Sequence, residues 1–178
     1  MRATFFVVGK HARTWPKSVK SILDKGHEIG NHTEMHRPLA GLDKKIIRTE
    51  ILSLQSYLQA TYGILPRFFR PPQGLISYES LLTIDEAGMD LVFWDVDPQD
   101  WTSPGMVHIA RNIADHVRPG SIILLHTMNP ETVETLPILL EYLKQDGYTA
   151  VPLSVLLDRP AYQTLRSDTE SPSGQSRK

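Results

Sequence analysis

The chain has 178 residues, 40% of them hydrophobic and 22% charged, with a formal net charge of −1. That length fits one domain with a sizeable core, and so balanced a charge points away from nucleic acid and from anionic membrane surfaces as partners. There is no cysteine, which excludes a disulfide scaffold and a thiolate metal site and leaves histidine and carboxylate as the only strong metal ligands. No apolar run is long enough to span a bilayer, and a strand-like run so close to Met1 leaves no room for a signal peptide.

In chain order, Thr4-Phe-Phe-Val-Val8 reads as a buried strand ended by Gly9. Pro16 suits the first turn of a helix with Val19, Ile22 and Leu23 as its apolar stripe, and Gly26 stops it. A second strand runs from about His27 to Asn31. After a loop marked by Pro38 and Gly41, Asp43 is the expected N-cap of a long helix. Ile47, Ile51, Leu54 and Leu58 form its buried face, and Gly63 ends it. Arg67 to Arg70 reads as a brief strand stopped by Pro71-Pro72. Ser77 then caps a helix carrying Leu81, Leu82 and Ile84 that ends at Gly88. Leu91 to Trp94 is the next strand, followed by the acidic segment Asp95 to Trp101. A helix with Ile109, Ile113 and Val117 inward precedes Ile122 to Leu125, the clearest buried strand. The last helix lies between Glu131 and Gln145, with Pro137 as a kink or late start. Thr149 to Leu153 reads as a final strand. The domain is expected over 1–158, with a disordered polar tail over 159–178.

Strand and helix alternate throughout, so the expected class is α/β, a parallel sheet covered by helices. The polar candidates occupy one kind of position. His32, Arg70, the segment Asp95 to Asp100, and His126 each follow the C-terminal end of a different strand. In an α/β barrel those ends converge on one mouth, where active sites are built.

His32 and His36 lie four residues apart on one turn or loop, where two neutral imidazoles can reach a single divalent ion. Two solvated surface histidines give the same spacing. His126 reads either as a strand-end hydrogen-bonding residue or as a general acid, whose charged form a nearby carboxylate such as Asp100 would favour. Asp95, Asp97 and Asp100 could equally form a solvated turn around Pro98. Arg70 is a surface charge or a fork that orients a carboxylate. Trp101 is core or a platform for a sugar ring, and Gly74 lets backbone approach a ligand. His11, His27, His108 and His116 read as structural or solvated.

Four ordered motifs carry a resemblance: His-Thr-x-x-His at 32–36, Arg-Pro-Pro-x-Gly at 70–74, Asp-x-x-Asp-Trp at 97–101 and Leu-x-His at 124–126. Their order and spacing resemble the polysaccharide deacetylases of the NodB-homology type, carbohydrate esterase family 4, over roughly Thr4 to Leu157. The resemblance implies a distorted (β/α) barrel and metal-dependent hydrolysis of acetyl groups from N-acetylated sugars of a polysaccharide or oligosaccharide, sometimes from O-acetyl groups. It implies His32 and His36 as metal ligands, with zinc expected and cobalt or nickel as alternatives. It makes His126 the general acid, tuned by Asp100, and gives Arg70 the task of orienting the catalytic base. The backbone N–H of Gln73 would stabilise the oxyanion, and Trp101 and Leu124 would line the substrate site. An extracellular or cell-envelope setting is implied for an intact parent protein.

The chain departs from that family at its start. The family opens with a strand carrying Thr-Phe-Asp-Asp-Gly, whose first Asp is the base and whose second is the third metal ligand. No Asp-Asp occurs in this sequence, so the expected barrel is incomplete at its N-terminal strand, through a late start or truncation. Gln73 also replaces the usual Tyr of the third motif. Two other readings follow: a catalytically inactive carbohydrate-binding pseudoenzyme, and an amidohydrolase acting on a small non-sugar amide.

Overall fold

A computed structural model describes residues 1–164. Its centre is a four-stranded parallel sheet in the order β1-β2-β3-β4, made of β1 (Thr4–Val7), β2 (Glu28–Asn31), β3 (Phe68–Phe69) and β4 (Asp90–Leu91). Each strand is reached through helix, as parallel pairing requires: α1 (Gly9–Thr14) and α2 (Pro16–Asp24), then α3 (Lys44–Tyr62), then α4 (Tyr78–Glu86). An isolated parallel bridge, Val96 with Ile123, lies outside these four strands. Two packed helices, α5 (Met106–His116) and α6 (Pro130–Gln145), and the short α7 (Leu153–Leu156) complete the described fold.

The long helix α3 forms as its sequence dictates. Asp43 accepts a hydrogen bond from the Lys45 N–H, and Gly63 closes the helix in the left-handed conformation at φ 68°. Ile47, Ile51, Leu54 and Leu58 are all fully buried, the first two against Phe69 and the last two against Ile29. This one apolar face therefore holds β2 and β3 in register beneath it. On the far side Val96, Ile109, Ile113, Leu139 and Leu143 make a separate core between α5, α6 and the Val96 bridge.

Several expectations change. Thr4–Val7 is half-buried, because β1 pairs with β2 alone among the described residues. A helix, α1, follows it at once and was not expected. In α4 the buried face is Ser80, Thr83 and Ile84, while Leu81 is exposed. The reciprocal Ser77–Ser80 capping box sets that phase. Ile122 to Leu125 is half-buried and pairs only at Ile123, since the Asp95 carboxylate takes the Ile122 N–H and the Ser121 hydroxyl. Thr149 to Leu153 forms no strand. Leu153 opens α7, with its N–H on the Thr4 hydroxyl. The last long helix starts at Pro130, capped by Asn129, and continues through Pro137.

The expected tail is ordered at its start. Tyr162 bridges Pro66, the Ile29 N–H donates to the Tyr162 hydroxyl, and Gln163 donates to the carbonyls of Pro66 and Ala87. These contacts draw residues 161–163 into the domain. Residues 165–178 of that expected tail lie outside the described residues.

Candidate active site

Asn31 and Phe69 end β2 and β3 side by side, so the next residues, His32 and Arg70, emerge together. The His32 Nδ1–H donates to the Arg70 carbonyl at 2.6 Å. A carbonyl can only accept, which fixes the tautomer of the neutral ring and puts a lone pair on His32 Nε2. That lone pair faces His36 Nε2 at 3.2 Å. The loop between them is tightly folded: Thr33 and His36 are both left-handed, at φ 67° and 61°. The Thr33 hydroxyl accepts from the His36 N–H, and Asn31 Oδ1 accepts from the Thr33 N–H.

The two nitrogens suit one cation. With Zn–N bonds of about 2.0–2.1 Å, adjacent corners of a tetrahedron lie about 3.3 Å apart, close to the spacing found here. Burial lowers the His32 pKa to about 4, against the opposing bond to the Arg70 carbonyl, and the positive charges of His36, Arg70 and His126 lower it further. Burial also lowers that of His36, with Lys10, His126 and His11 adding to it and Glu50 opposing. Both rings are therefore neutral near pH 7, the state in which imidazole binds metals. Among the described residues no third His, Cys, Asp or Glu joins them in a cluster able to hold an ion.

Arg70 is buried between the Phe6 ring, 4.2 Å from the guanidinium carbon, and the Trp94 ring at 5.5 Å. One arm donates to the Phe93 carbonyl at 3.1 Å, while its Nε has no partner among the described residues. Burial pushes its pKa down to about 10, so it stays charged. It is therefore no surface charge but a clamped cation with donors to spare. Next to it, Gln73 sits at φ 58° in the turn Pro72–Gly74. Gly74 and Leu75 spend their N–H groups closing that turn, whereas the Gln73 N–H meets no acceptor among the described residues.

His126 stands on Asp100. Asp100 is fully buried at the start of a 3₁₀ turn, Asp100–Thr102. Its carboxylate takes the His126 ring Nδ1–H and backbone N–H, each at 2.7 Å, and the Thr132 hydroxyl at 2.6 Å. Asn129 donates to its carbonyl. Trp101, beside Asp100, is 63% exposed, which removes the core reading and leaves an open indole face. Leu124 is half-buried, its N–H on the Val96 carbonyl.

Of the other acids, Asp95 is spent on Ser121 and Ile122, and Asp97 holds the Gln99 N–H. Asp97 thus forms the turn around Pro98, whereas Asp95 ties that segment to residues 121–122. His27 accepts from the Ala3 N–H, and the His116 ring bonds the Asn112 carbonyl. The His11 ring is tilted against Trp15, and its positive charge contributes to lowering the His36 pKa. Sequence reasoning missed the two residues that cage Asp100. Asn129 was visible as a helix cap before Pro130, and Thr132 follows one turn later, but nothing local ties either to Asp100.

Paired imidazoles and a clamped guanidinium follow the C-terminal ends of β2 and β3, and a carboxylate-backed imidazole follows the Ile123 bridge, all within an α/β fold. The family model for polysaccharide deacetylases matches residues 1–92. A chitooligosaccharide deacetylase of Bradyrhizobium sp. is 32% identical over 86% of this chain and 77% of its own length. A peptidoglycan-N-acetylglucosamine deacetylase of Bacillus cereus is 36% identical over 87% of this chain and 75% of its own. Among solved structures, a peptidoglycan N-acetylglucosamine deacetylase superposes with a TM-score of 0.87 at 32% identity, covering 91% of this chain and 78% of that one. A family 4 pseudoenzyme from Bacillus anthracis superposes at 0.84 with 29% identity, covering 89% and 56%. The chain belongs to the polysaccharide deacetylase family.

Proposed function

We propose that this chain is built to remove acetyl groups from N-acetylated sugars of a chitin- or peptidoglycan-like polysaccharide, with a divalent metal held by His32 and His36. The observation that carries the reading is the 3.2 Å approach of the two Nε2 atoms, one of them fixed as a lone pair by the Arg70 carbonyl. A divalent ion there, zinc or else cobalt or nickel, would act as a Lewis acid on the acetyl carbonyl. The residues of the chain do the rest. Asp100 takes the His126 Nδ1–H, so Nε2 is the ring position that carries a proton to the leaving amine when the ring is charged. The free Gln73 N–H is a donor for the developing oxyanion. Arg70 offers its unused donors to a carboxylate. Trp101 offers an apolar face to a sugar ring.

A second reading is an impaired or inactive relative that keeps the glycan groove. It is favoured by the lack of an anionic third ligand among the described residues and by the likeness to a pseudoenzyme. The names of the relatives support a glycan over a small amide as the substrate. No helix among the described residues is long and apolar enough to cross a membrane; an extracellular or cell-envelope setting suits a polymeric wall substrate.

The test is Co²⁺ titration followed by visible absorption, run beside acetate release from N-acetylglucosamine oligomers and from peptidoglycan. Binding that disappears in His32→Ala and His36→Ala supports the metal site. Unchanged binding in both variants overturns it.

A further inference from the structure

Two left-handed non-glycine residues in one short loop are unfavourable and persist only where the surroundings over-determine them. The loop His32 to Arg37 has two, Thr33 and His36, and the element that grips it is α3. Glu50, on α3, is 3% exposed although charged. Its backbone carbonyl accepts the Glu34 N–H at 2.7 Å. Its carboxylate Oε2 accepts the Met35 N–H at 2.8 Å, and Oε1 lies 3.4 Å from Arg37 Nε. One residue thus holds three loop residues, Glu34, Met35 and Arg37, all between or just beyond the two histidines. From the same helix, the Ile51 carbonyl and the Gln55 side chain accept from the Asn31 side-chain amide, whose oxygen holds the Thr33 N–H. Burying a carboxylate is costly unless it is hydrogen-bonded. Nothing in the apolar packing of α3 calls for one here, since Ile47, Ile51, Leu54 and Leu58 already fill its inner face.

We propose that Glu50 is a positioning residue for the His32–His36 pair: its carboxylate fixes the Met35 peptide and so sets the separation of the two Nε2 atoms. Without it the Met35 N–H loses its acceptor, Arg37 loses its partner, and the loop relaxes away from its two left-handed residues. The inference rests on the reading of His32 and His36 as a metal pair, and concerns how that pair is kept in place. Partners of this outer kind are worth about 10–100-fold in metal affinity.

The experiment measures Zn²⁺ affinity by competition with a chromophoric chelator, with Co²⁺ absorption as the spectroscopic readout, in the chain as given and in Glu50→Ala, Glu50→Gln and His36→Ala. Far-ultraviolet circular dichroism checks folding. Glu50→Ala is expected to lose about tenfold or more in affinity and to alter the Co²⁺ spectrum. Glu50→Gln keeps an oxygen for the Met35 N–H and should recover most of the loss. That rescue separates positioning from general destabilisation, and it can be read even if Glu50→Ala fails to fold, by comparing Glu50→Gln with the chain as given. A folded Glu50→Ala with unchanged affinity and spectrum, or a folded Glu50→Gln whose affinity has fallen to that of His36→Ala, overturns the proposal. If the chain as given binds no better than His36→Ala, the metal reading itself has failed.

Discussion

His126 and Asp100 are joined twice, through the imidazole Nδ1–H and through the backbone N–H, each 2.7 Å from a different oxygen of one carboxylate. The paired bonds fix both the position of the residue and the plane of its ring. Asp100→Asn replaces one acceptor oxygen by an NH₂ group that faces another donor. The expected result is a loss of about 1–3 kcal/mol, the cost of leaving a buried donor without its acceptor, together with loss of the single Nδ1–H tautomer. Chemical denaturation reads the first. Nitrogen-15 NMR of the His126 ring at alkaline pH reads the second, and an unchanged tautomer would remove the role given to Asp100.

Thr132 donates from α6 to the same carboxylate at 2.6 Å, with both groups buried. Thr132→Val keeps the shape and deletes the donor. Hydrogen bonds to charged groups are worth about 1.5–3 kcal/mol, and a loss of that order is expected by urea denaturation. Thr135→Val should cost less, because its hydroxyl only returns to the Glu131 carbonyl within its own helix.

The buried, neutral His32 makes stability depend on pH. Its pKa falls from 6.5 to about 4 on folding, mainly through burial. Between those values the unfolded chain binds the extra proton, so stability rises with pH across that window. The metal-free protein should hold its full stability above about pH 6.5, lose it progressively toward pH 4, and gain no further penalty from this residue below that. Denaturation midpoints across the window, compared with those of His32→Gln, measure the effect; parallel curves would refute it.

What could be read in the sequence was what depends on local pattern. The α3 stripe, the caps at Asp43 and Ser77, and the placing of His32, Arg70 and His126 each after a different apolar run all follow from spacing along the chain. What failed depends on neighbours far away in sequence. Ile122 to Leu125 is apolar enough for a strand, but a strand needs a partner along its length, and Asp95 takes the first of its donors. Thr149 to Leu153 has β-branched residues, yet the Thr4 hydroxyl captures the Leu153 N–H and a helix starts there. Glu50 and Thr132 read as ordinary helix residues. Their importance comes from the loop or carboxylate they face, which no periodicity reveals.

The last expectation concerns turnover by residues 1–178. Deacetylation needs a base as well as an acid, and each described carboxylate around the segment 95–100 is committed. Asp95 serves Ser121 and Ile122, Asp97 serves Gln99, and Asp100 serves His126 and Thr132. The proposed cation site has two imidazoles and no anionic partner among the described residues, whereas catalytic zinc sites use three protein ligands. The donors left over on Arg70 point to the same deficit, a carboxylate that the described residues do not supply. Little or no acetate release from chito-oligomers is therefore expected, even with added Zn²⁺ or Co²⁺. Fusing the family's Thr-Phe-Asp-Asp-Gly strand ahead of Met1, beside the edge of β1 that has no partner among the described residues, should raise both metal affinity and turnover. His126→Ala in that fusion should then reduce turnover by about 10²–10⁴-fold, the usual worth of a general acid, without weakening the metal. Robust acetate release by the chain as given would mean that a carboxylate already present acts as base, and loss of that release in Asp97→Asn would identify it.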